Sequence, residues 1–277
     1  MKDQVSPAQR APASRPGRVS SPGSSGRQRP CRRHHRPWAV QLAWPFTGGE
    51  DVRASIEGPW SVTARPLLPT AARPPAVAIV AVCALVMAVQ GVWLRHGMEI
   101  GWVDTAVDAK LRAGLGGHPA LLAVLVWPGT PVAVTAMVTV LVLACLFRRR
   151  YGEAALVAIS VPLATAITEL VLKPLIGRTS WGNPFPSGHV TSVVALATAL
   201  TLLLATTPAG MPRFLRLVLS CTGFLIAAAV AFGVIGANMH HFSDTVGGAD
   251  VGAGTVLLTA LVLDLLSRRY ARYRGST

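Results

Sequence analysis

The sequence is poor in charge, and poorest in acidic charge. Charged side chains make up 14% of the 277 residues, whereas a soluble globular domain carries roughly 25%. Only 12 residues are Asp or Glu, against 26 Lys and Arg. This scarcity argues against an ordinary soluble domain. Hydrophobic residues take the place of the missing charge, at 51% of the chain with a mean hydropathy of +0.47.

Cysteine is also scarce, and its spacing excludes two common kinds of site. Cys31, Cys83, Cys145 and Cys221 form no CxxC pair and no cluster, so the sequence predicts neither a zinc site nor a disulfide framework. Three of the four lie inside apolar runs, where a thiol behaves as a small apolar side chain. We therefore expect these cysteines to serve packing.

The apolar residues lie in long blocks instead of alternating with polar ones. A run of about 18 or more nearly uncharged residues is long enough to cross a bilayer core of roughly 30 Å as a helix. The sequence therefore predicts an all-α, polytopic membrane helix bundle with about six transmembrane helices. The predicted spans are approximately 75–94, 121–147, 154–172, 190–206, 217–237 and 245–266. Pro128 and Pro131 predict a kink or a late start of regular helix in the second span.

The net charge of +14 is concentrated in a tail and in short loops. The sequence contains no basic face with interleaved aromatic residues on a soluble domain, so we expect no nucleic-acid partner. Basic loops beside membrane spans are topology determinants. With six spans and a cytoplasmic N-terminus, the arginine-rich loops and the C-terminus all fall inside. We predict a multi-pass protein of the cell membrane with both termini cytoplasmic.

Composition divides the chain into three parts. Residues 1–74 are rich in Pro, Ser, Gly and Arg, a composition that buries too little apolar surface to fold, so we predict a disordered basic tail. Residues 75–267 form the predicted membrane domain, and residues 268–277 form a basic cytoplasmic tail. Within the domain, the loop 95–118 contains GWVDTAVDAKL, whose helical spacing predicts a helix along the membrane interface.

Three polar stretches interrupt the second half of the apolar sequence. Two predicted spans separate His189 from His240, and only a short loop separates Lys173 from His189. Counting the crossings therefore assigns all three stretches to the same, extracytoplasmic face. We expect a candidate active site to form there.

The first stretch is Lys173-Pro-Leu-Ile-Gly-Arg178, at the end of an apolar helix. Two cations at this depth are costly to bury. They either bind an anion or extend to the membrane interface. Glu169 lies one helical turn before Lys173, so we expect it to pair with Lys173 or to line the site.

The second stretch is Pro186-Ser187-Gly188-His189, at the start of the fourth predicted span. Ser187 is a candidate cap of that helix, and Gly188 allows a ligand to approach the backbone. Free N–H groups at a helix N-terminus bind anions, and His189 lies one residue into that region. The alternative is a plain capping turn with an incidental histidine.

The third stretch is MHHFSD, residues 239–244. His240 and Asp244 are four residues apart, so one helical turn would bring them to the same face. A carboxylate bonded to one ring nitrogen fixes the tautomer and leaves the other nitrogen as a nucleophile. Alternatively, Asp244 or Ser243 only caps the sixth span.

A metal site is a further reading of the histidines. Its ligands would be His189, His240, His241 and Asp244, which are residue types that bind zinc. No HExxH motif supports this reading. Cations, backbone donors, a nucleophile and a general acid are instead the equipment for phosphoryl transfer without a metal.

Together the three stretches resemble the motifs of the type 2 phosphatidic acid phosphatase superfamily. Its relatives include lipid phosphatases, undecaprenyl-diphosphate phosphatases and vanadium haloperoxidases. The family pattern has a Lys/Arg motif, then Pro-Ser-Gly-His, then a motif that ends in His, three residues and Asp. PSGH at 186–189 is intact, and HHFSD supplies His240 and Asp244. In span order the resemblance covers roughly residues 77–266.

The chain departs from this pattern in two motifs. The family's first motif is Lys, six residues, Arg-Pro, but the corresponding positions after Lys173 hold Ser-Trp. Arg178, two positions earlier, is the candidate replacement. The third motif carries Ser-Arg before its histidine, where this chain has Gly233 and Val234. One phosphate-binding arginine is therefore missing, which is expected to weaken phosphate binding and slow the reaction.

The resemblance implies a reaction that uses neither metal nor cofactor. Four groups would hold the phosphoryl oxygens: Lys173, Arg178, Ser187 and the Gly188 N–H. His240, oriented by Asp244, would attack phosphorus and form a phosphohistidine. His189 would protonate the leaving group and then activate water.

The expected function is hydrolysis of a lipid phosphate or diphosphate, such as a polyprenyl diphosphate, at the outer face of the membrane. Its expected partners are that lipid substrate and the bilayer. Because one arginine is missing, the alternative is a catalytically degenerate relative that binds anionic lipid headgroups. A transporter-like helix bundle with incidental polar loops is a third reading.

Overall fold

The computed structural model describes residues 66–95, 101–177, 185–207 and 211–274, all within one compact unit that runs from Pro59 to Thr277. In these ranges the chain forms helices and no strand, which confirms the predicted all-α bundle. The α-helices are α1 (Arg73–Arg95), α2 (Trp102–Leu115), α3 (Pro119–Val126), α4 (Pro131–Phe147), α5 (Tyr151–Ala166), α6 (Lys173–Ile176), α7 (Gly188–Ala205), α8 (Arg213–Gly236) and α9 (Phe242–Arg274).

The helix lengths and compositions are those of a multi-pass membrane protein. Five candidate spans are Thr70–Arg95, Tyr151–Ile176, Gly188–Ala205, Arg213–Gly236 and Phe242–Tyr273. A sixth forms if α3 and α4 count as one bent span. All six correspond to the spans predicted from the sequence.

The bend between α3 and α4 confirms the predicted kink. The two helices meet at 43°, across the short 3-10 turn Trp127–Gly129. Pro131 begins α4 because its missing N–H needs no partner in the first turn. The hydroxyl of Thr130 caps the helix by accepting from the Ala133 N–H at 3.4 Å. Local sequence therefore sets the break.

Apolar side chains face outward over much of the bundle. Only 6% of the most apolar window of the first span is buried inside the structure, and Val82, Leu85 and Val92 are each more than half exposed. An apolar surface of this extent on a soluble monomer would mark an interaction site. On helices of spanning length, it is the surface that faces lipid.

Helix α7 lies at the centre and packs against α5, α8 and α9. The backbones of α7 and α9 approach closely because α9 carries glycines at the contact. A Cβ atom on Gly248 would lie 2.6 Å from the Ser187 carbonyl oxygen, and one on Gly252 would lie 2.5 Å from that of Thr191. Small residues allow such close helix packing in membranes. This contact fixes the start of α7 against the start of α9.

The segment that precedes α1 is held by a carboxylate of α9. Asp264 accepts hydrogen bonds from the Leu67 N–H at 2.7 Å and the Leu68 N–H at 3.1 Å, and it pairs with Arg73 at 3.1 Å. Both leucines are buried. Residues 66–74 belong to the tail for which we predicted disorder, and here that prediction is wrong, because the two leucines and Asp264 supply the missing contacts. Residues 1–65 lie outside the described residues.

Two loop predictions meet different outcomes. The stretch GWVDTAVDAKL is helical as predicted and forms most of α2, although Asp104 and Asp108 on it are buried. The basic segment predicted as a tail instead extends the last helix, because α9 continues to Arg274. The structural boundary therefore lies several residues beyond the predicted end of the membrane domain.

The contact between α7 and α9 predicts that Gly252→Ala is destabilising. The added methyl would meet backbone atoms of α7, which cannot move aside as a side chain tip can, and such overpacking costs about 1–3 kcal/mol. Gly114→Ala is the matched control, because a Cβ there meets nothing within 4 Å. Thermal unfolding in detergent measures both. Equal melting temperatures for the two variants would contradict the close contact.

Candidate active site

A cavity of about 890 Å³ lies between α4, α5, the start of α7 and the turn before α9. Its polar lining includes one or more residues from each of the three sequence motifs. These residues are Lys173, Gly188, His189 and His240, together with Glu169. At these residues, the three stretches therefore converge on one cavity, as the sequence predicted.

His189 reaches the cavity from the first turn of α7 and is partly buried. The 3-10 turn between α3 and α4 packs directly on it, since a Cβ atom on Gly129 would lie 3.1 Å from the His189 Cβ. The break in the bent span thus makes room for the histidine. An unbroken helix with larger side chains there would occupy the same space.

Gly188 stands where the cavity meets the Glu169 carboxylate. A Cβ atom at this position would collide with Glu169 Oε1 and would lie 3.8 Å from Lys173 Nζ. Glycine therefore leaves the first backbone groups of α7 close to both charged side chains. The close neighbour in the structure is the Glu169 carboxylate, whereas the sequence favoured glycine here for the approach of a ligand to the backbone.

Ser187 occupies the N-cap position of α7, but the predicted capping bond is absent: its side chain makes no cap hydrogen bond. Its Oγ atom is buried and finds no hydrogen-bond partner among the described residues. The Ser187 N–H instead donates to the Asp244 carbonyl at 3.0 Å. Ser187 thus ties the second motif to the third, and its side chain is not among those that line the cavity.

Lys173 and Glu169 form a short ion pair at the cavity wall. Lys173 Nζ lies 2.6 and 2.7 Å from the two Glu169 carboxylate oxygens, as the four-residue spacing predicts. The lysine side chain is 18% exposed and the glutamate 42%. Lys173 therefore faces an anion and the cavity instead of extending freely to the interface. Arg178 lies outside the described residues.

The segment that carries this pair is irregular. Residues Ile167–Leu172 form a π-helical turn, and Gly177 ends α6 in the left-handed region at φ 63°. π-Helical turns are rare, and those that occur are often found at functional sites. The turn brings Glu169, Leu170 and Lys173 to the cavity.

His240 lies in the turn between α8 and α9. Asn238 begins this turn with φ 58°, a left-handed conformation that Asn adopts more readily than most residues. His240 Nδ1 is 3.5 Å from Asp244 Oδ2, and both residues are nearly or fully buried. The predicted pairing is present as a close contact between the ring nitrogen and the carboxylate oxygen, longer than a strong hydrogen bond.

Asp244 has a second role at the start of α9. Its Oδ2 atom accepts a hydrogen bond from the His241 N–H at 2.9 Å. The sequence left open whether Asp244 caps the last helix or pairs with His240. In the structure its carboxylate does both. Asp244 stands behind His240 and is fully buried.

Sequence reasoning missed two carboxylates that contact the third motif from α2. Asp108 Oδ2 is 2.6 Å from His241 Nδ1, and Asp104 Oδ2 accepts from the Ser243 hydroxyl at 2.8 Å. His241 is buried and is not among the residues lining the cavity. The available signal was the four-residue spacing of the two aspartates on one face of α2.

No group of three or more His, Cys, Asp or Glu side chains is arranged to hold a metal ion within the ranges that the structure describes. His241 is turned toward Asp108 of α2, away from the cavity that His189 and His240 share. The four ligands of the alternative metal reading are therefore divided between two places.

A comparison with family models agrees with this geometry. Residues 173–268 match the model of the PAP2 superfamily. The match begins at Lys173, contains the second and third motifs, and confirms the resemblance to the type 2 phosphatidic acid phosphatase superfamily. It supports a phosphatase. Searches of the curated proteins and of the solved structures gave no match.

The position of the missing family arginine is closed in this structure. Val234 is 0% exposed and belongs to the hydrophobic core. Its carbonyl oxygen accepts hydrogen bonds from the Met239 and His240 N–H groups at 2.9 and 3.3 Å. Beside it, Gly233 packs on α3, where an added Cβ would lie 2.8 Å from the Leu125 Cβ. The departure from the family motif is thus built into the packing of α8.

Val234→Arg is therefore expected to destabilise the protein instead of restoring a phosphate ligand. An uncompensated buried charge costs about 3–5 kcal/mol. Val234→Met is the matched control, since it adds length without charge. Thermal unfolding and size-exclusion profiles in detergent compare the two. A stable Val234→Arg protein with tighter phosphate binding would show that the arginine reaches the cavity after all.

Proposed function

We propose that this chain is an integral-membrane phosphatase that hydrolyses a lipid phosphate or diphosphate through a phosphohistidine intermediate. Its residues 173–268 match the PAP2 superfamily. The observation that carries the proposal is the shared cavity. It is lined by Lys173 of the first motif, Gly188 and His189 of the second, and His240 of the third. No metal or cofactor enters the proposed reaction.

The first half of the reaction transfers the phosphoryl group to the protein. Lys173 and the free N–H groups at the start of α7 hold the phosphoryl oxygens, because a helix N-terminus and a cation both favour an anion. The free ring nitrogen of His240 attacks phosphorus, and an N–P bond forms as the bond to the leaving oxygen breaks. His189 gives its proton to that oxygen. Asp244 stabilises the positive charge that develops on His240.

The second half releases phosphate. His189, now neutral, takes a proton from a water molecule, whose oxygen attacks the phosphohistidine. The N–P bond breaks, inorganic phosphate leaves, and both histidines return to their starting states. The same residue serves as acid and then as base, so no further proton carrier is required.

The lipid nature of the substrate is supported by the rest of the cavity wall. Val134 and Val138 of α4, Val161 of α5 and Leu170 face the same space as the polar groups. The volume of about 890 Å³ exceeds what a phosphate needs, and it lies within the roughly 300–1,000 Å³ of ligand pockets. A phosphate or diphosphate on an acyl or polyprenyl chain fits this division into a charged and an apolar part.

The charge distribution supports a proposed membrane face. The arginine-rich segments lie at the opposite ends of the spans from the three motifs, and such segments stay in the cytoplasm. The proposed site therefore acts at the extracytoplasmic face on a lipid of the outer leaflet. The bilayer and the lipid are its partners.

Two observations favour the second candidate, a degenerate relative that binds anionic headgroups without turnover. Glu169 already occupies Lys173 at 2.6 Å, and Val234 fills the arginine position with a buried apolar side chain. Loss of one charge-stabilising donor typically costs about 2.7–4 kcal/mol of transition-state stabilisation. Turnover by the purified protein decides between the two candidates.

The phosphatase proposal predicts that phosphate release needs His240 and His189 and ignores EDTA. The assay uses the full chain in detergent with phosphatidic acid, phosphatidylglycerol phosphate and polyprenyl diphosphate. We expect release to vanish in His240→Ala and to fall about 10²–10⁴-fold in His189→Ala. His118→Ala, an exposed histidine outside the cavity, is the control. Undiminished release in both cavity variants would refute the mechanism, and no release from wild type would favour the degenerate candidate.

The ion pair predicts that Glu169→Gln tightens the binding of inorganic phosphate. The substitution removes a negative charge beside the anion and releases Lys173. The gain is roughly two- to fivefold, because a partly exposed pair contributes ~1 kcal/mol at most. Competitive inhibition, or isothermal titration if turnover is absent, measures it. Glu169→Asp keeps the charge and should show no gain; weaker binding in Glu169→Gln would mean that Glu169 helps to hold the anion.

A further inference from the structure

We propose that Asp104 and Asp108 of α2 are positioning residues that hold the His240 turn in its place at the cavity. The catalytic part of this proposal rests on the proposed phosphatase function. The structural part, that α2 fixes the turn, stands on contacts alone. Neither aspartate lies within the matched segment 173–268, and neither belongs to the three motifs.

The start of a helix leaves N–H groups that have no partner inside the helix. Before and within the first turn of α9, three consecutive N–H groups each donate to a carboxylate. His241 N donates to Asp244 at 2.9 Å, Phe242 N to Asp108 Oδ1 at 3.1 Å, and Ser243 N to Asp104 Oδ1 at 2.8 Å. Two of these three acceptors therefore come from a different helix.

The second oxygen of each α2 carboxylate holds a side chain of the same turn. Asp108 Oδ2 accepts from His241 Nδ1 at 2.6 Å, and Asp104 Oδ2 accepts from the Ser243 hydroxyl at 2.8 Å. A carboxylate that accepts the proton fixes Nδ1–H as the tautomer of His241. Both aspartates thus bind the turn through backbone and side chain at once.

Because both carboxylates are buried, the loss of these hydrogen bonds would be costly. Asp104 is 6% exposed and Asp108 is 2% exposed, and a buried carboxylate is costly unless its oxygens are hydrogen-bonded. Asp108 also pairs with Arg112 at 3.1 Å, one turn further along α2. Displacement of the turn would remove both hydrogen bonds from Ser243 to Asp104. It would leave Asp108 with the ion pair to Arg112, and buried acceptors that lose their donors are costly. The arrangement therefore resists movement of residues 241–243.

His240 depends on this support because its own motif holds it loosely. Its Nδ1 atom is 3.5 Å from Asp244 and has no hydrogen-bond partner among the described residues. On its N-terminal side the backbone is held by the Val234 carbonyl, 3.3 Å from the His240 N–H. On its C-terminal side the next three residues are held by Asp244 and the two aspartates of α2. Correct placement of the attacking nitrogen then requires α2.

Helix α2 is itself firmly attached. It packs against α8 and α9, and the contact with α8 is close, since a Cβ atom on Gly236 would lie 3.0 Å from the Leu115 Cβ. The two aspartates are therefore presented by a fixed helix and not by a mobile loop. Through the hydrogen bonds of these aspartates, the position of α2 determines the position of the turn that carries His240.

The test compares Asp104→Asn and Asp108→Asn with Asp264→Asn in the full-length protein in detergent. Asp264 is the matched control: it is 4% exposed, accepts from two consecutive N–H groups and pairs with an arginine, but it lies away from the cavity. A 1 Å displacement of a reacting group can cost about a hundredfold. We expect kcat to fall about ten- to a hundredfold in both α2 variants, with KM nearly unchanged, and to stay unchanged in Asp264→Asn.

Amide hydrogen exchange over residues 239–245 supplies a readout that does not need turnover. Exchange should become faster there in the two α2 variants and not in Asp264→Asn. If wild type releases no phosphate, the proposed function fails while this measurement still tests the turn. Unchanged exchange in both α2 variants, or a kcat no lower than that of Asp264→Asn, would overturn the proposal.

Two milder variants serve if the asparagine variants do not fold. His241→Asn keeps a donor near the Nδ1 position, whereas His241→Ala removes it. We expect the alanine variant to lower kcat and to loosen the turn, and the asparagine variant to restore both toward wild type. Equal kcat and equal exchange for the two variants would contradict a role for the bond to Asp108.

Discussion

The contact between the backbones of α7 and α9 is the constraint on which the candidate site depends. Gly248 and Gly252 let the helices approach until a side-chain atom would not fit between them. The Ser187 N–H then reaches the Asp244 carbonyl at 3.0 Å, so the second and third motifs are joined by main-chain atoms. His189 and His240 share a cavity because their helices begin side by side. In a membrane, an N–H group that is removed from water needs a hydrogen-bond partner. The Asp244 carbonyl is that partner for the Ser187 N–H, whereas the Ser187 side chain makes no cap hydrogen bond.

Around that contact, carboxylates hold the start of α9 and the segment before α1 that packs on it. Asp244, Asp104 and Asp108 hold its start, and Asp264 holds the residues before α1 near its other half. These few acids account for much of the acidic charge that the chain retains in its membrane domain. An acceptor-only group is suited to the task, since the unsatisfied groups at a helix start are all donors.

The charge balance of the cavity is what separates the two functional candidates. Lys173 is the one lysine or arginine among the described residues that line it, and Glu169 is bound to it. A phosphate would enter a site with little net positive charge. It would be held chiefly by backbone N–H groups, and it would compete with Glu169 for Lys173. The buried Val234 removes the further cation that the family motif supplies. Such a site is compatible with slow turnover of a substrate whose lipid chain contributes the binding energy.

The sequence by itself determined the elements and most of the site. Long uncharged runs predicted six spans, Pro128 and Pro131 predicted the bend, and the parity of the spans brought Lys173, His189 and His240 to one side, because each of these follows from chain length and local chemistry. Tertiary structure decided what depends on contacts between residues far apart in the chain. It turned Asp104 and Asp108 inward to hold the His240 turn, left the Ser187 hydroxyl out of the cap, and ordered Leu67 and Leu68 against Asp264. The four-residue spacing of Asp104 and Asp108 marked one face of α2, but nothing local linked Asp108 to a histidine 133 residues away, because only the packing of α2 on α8 and α9 brings the two together.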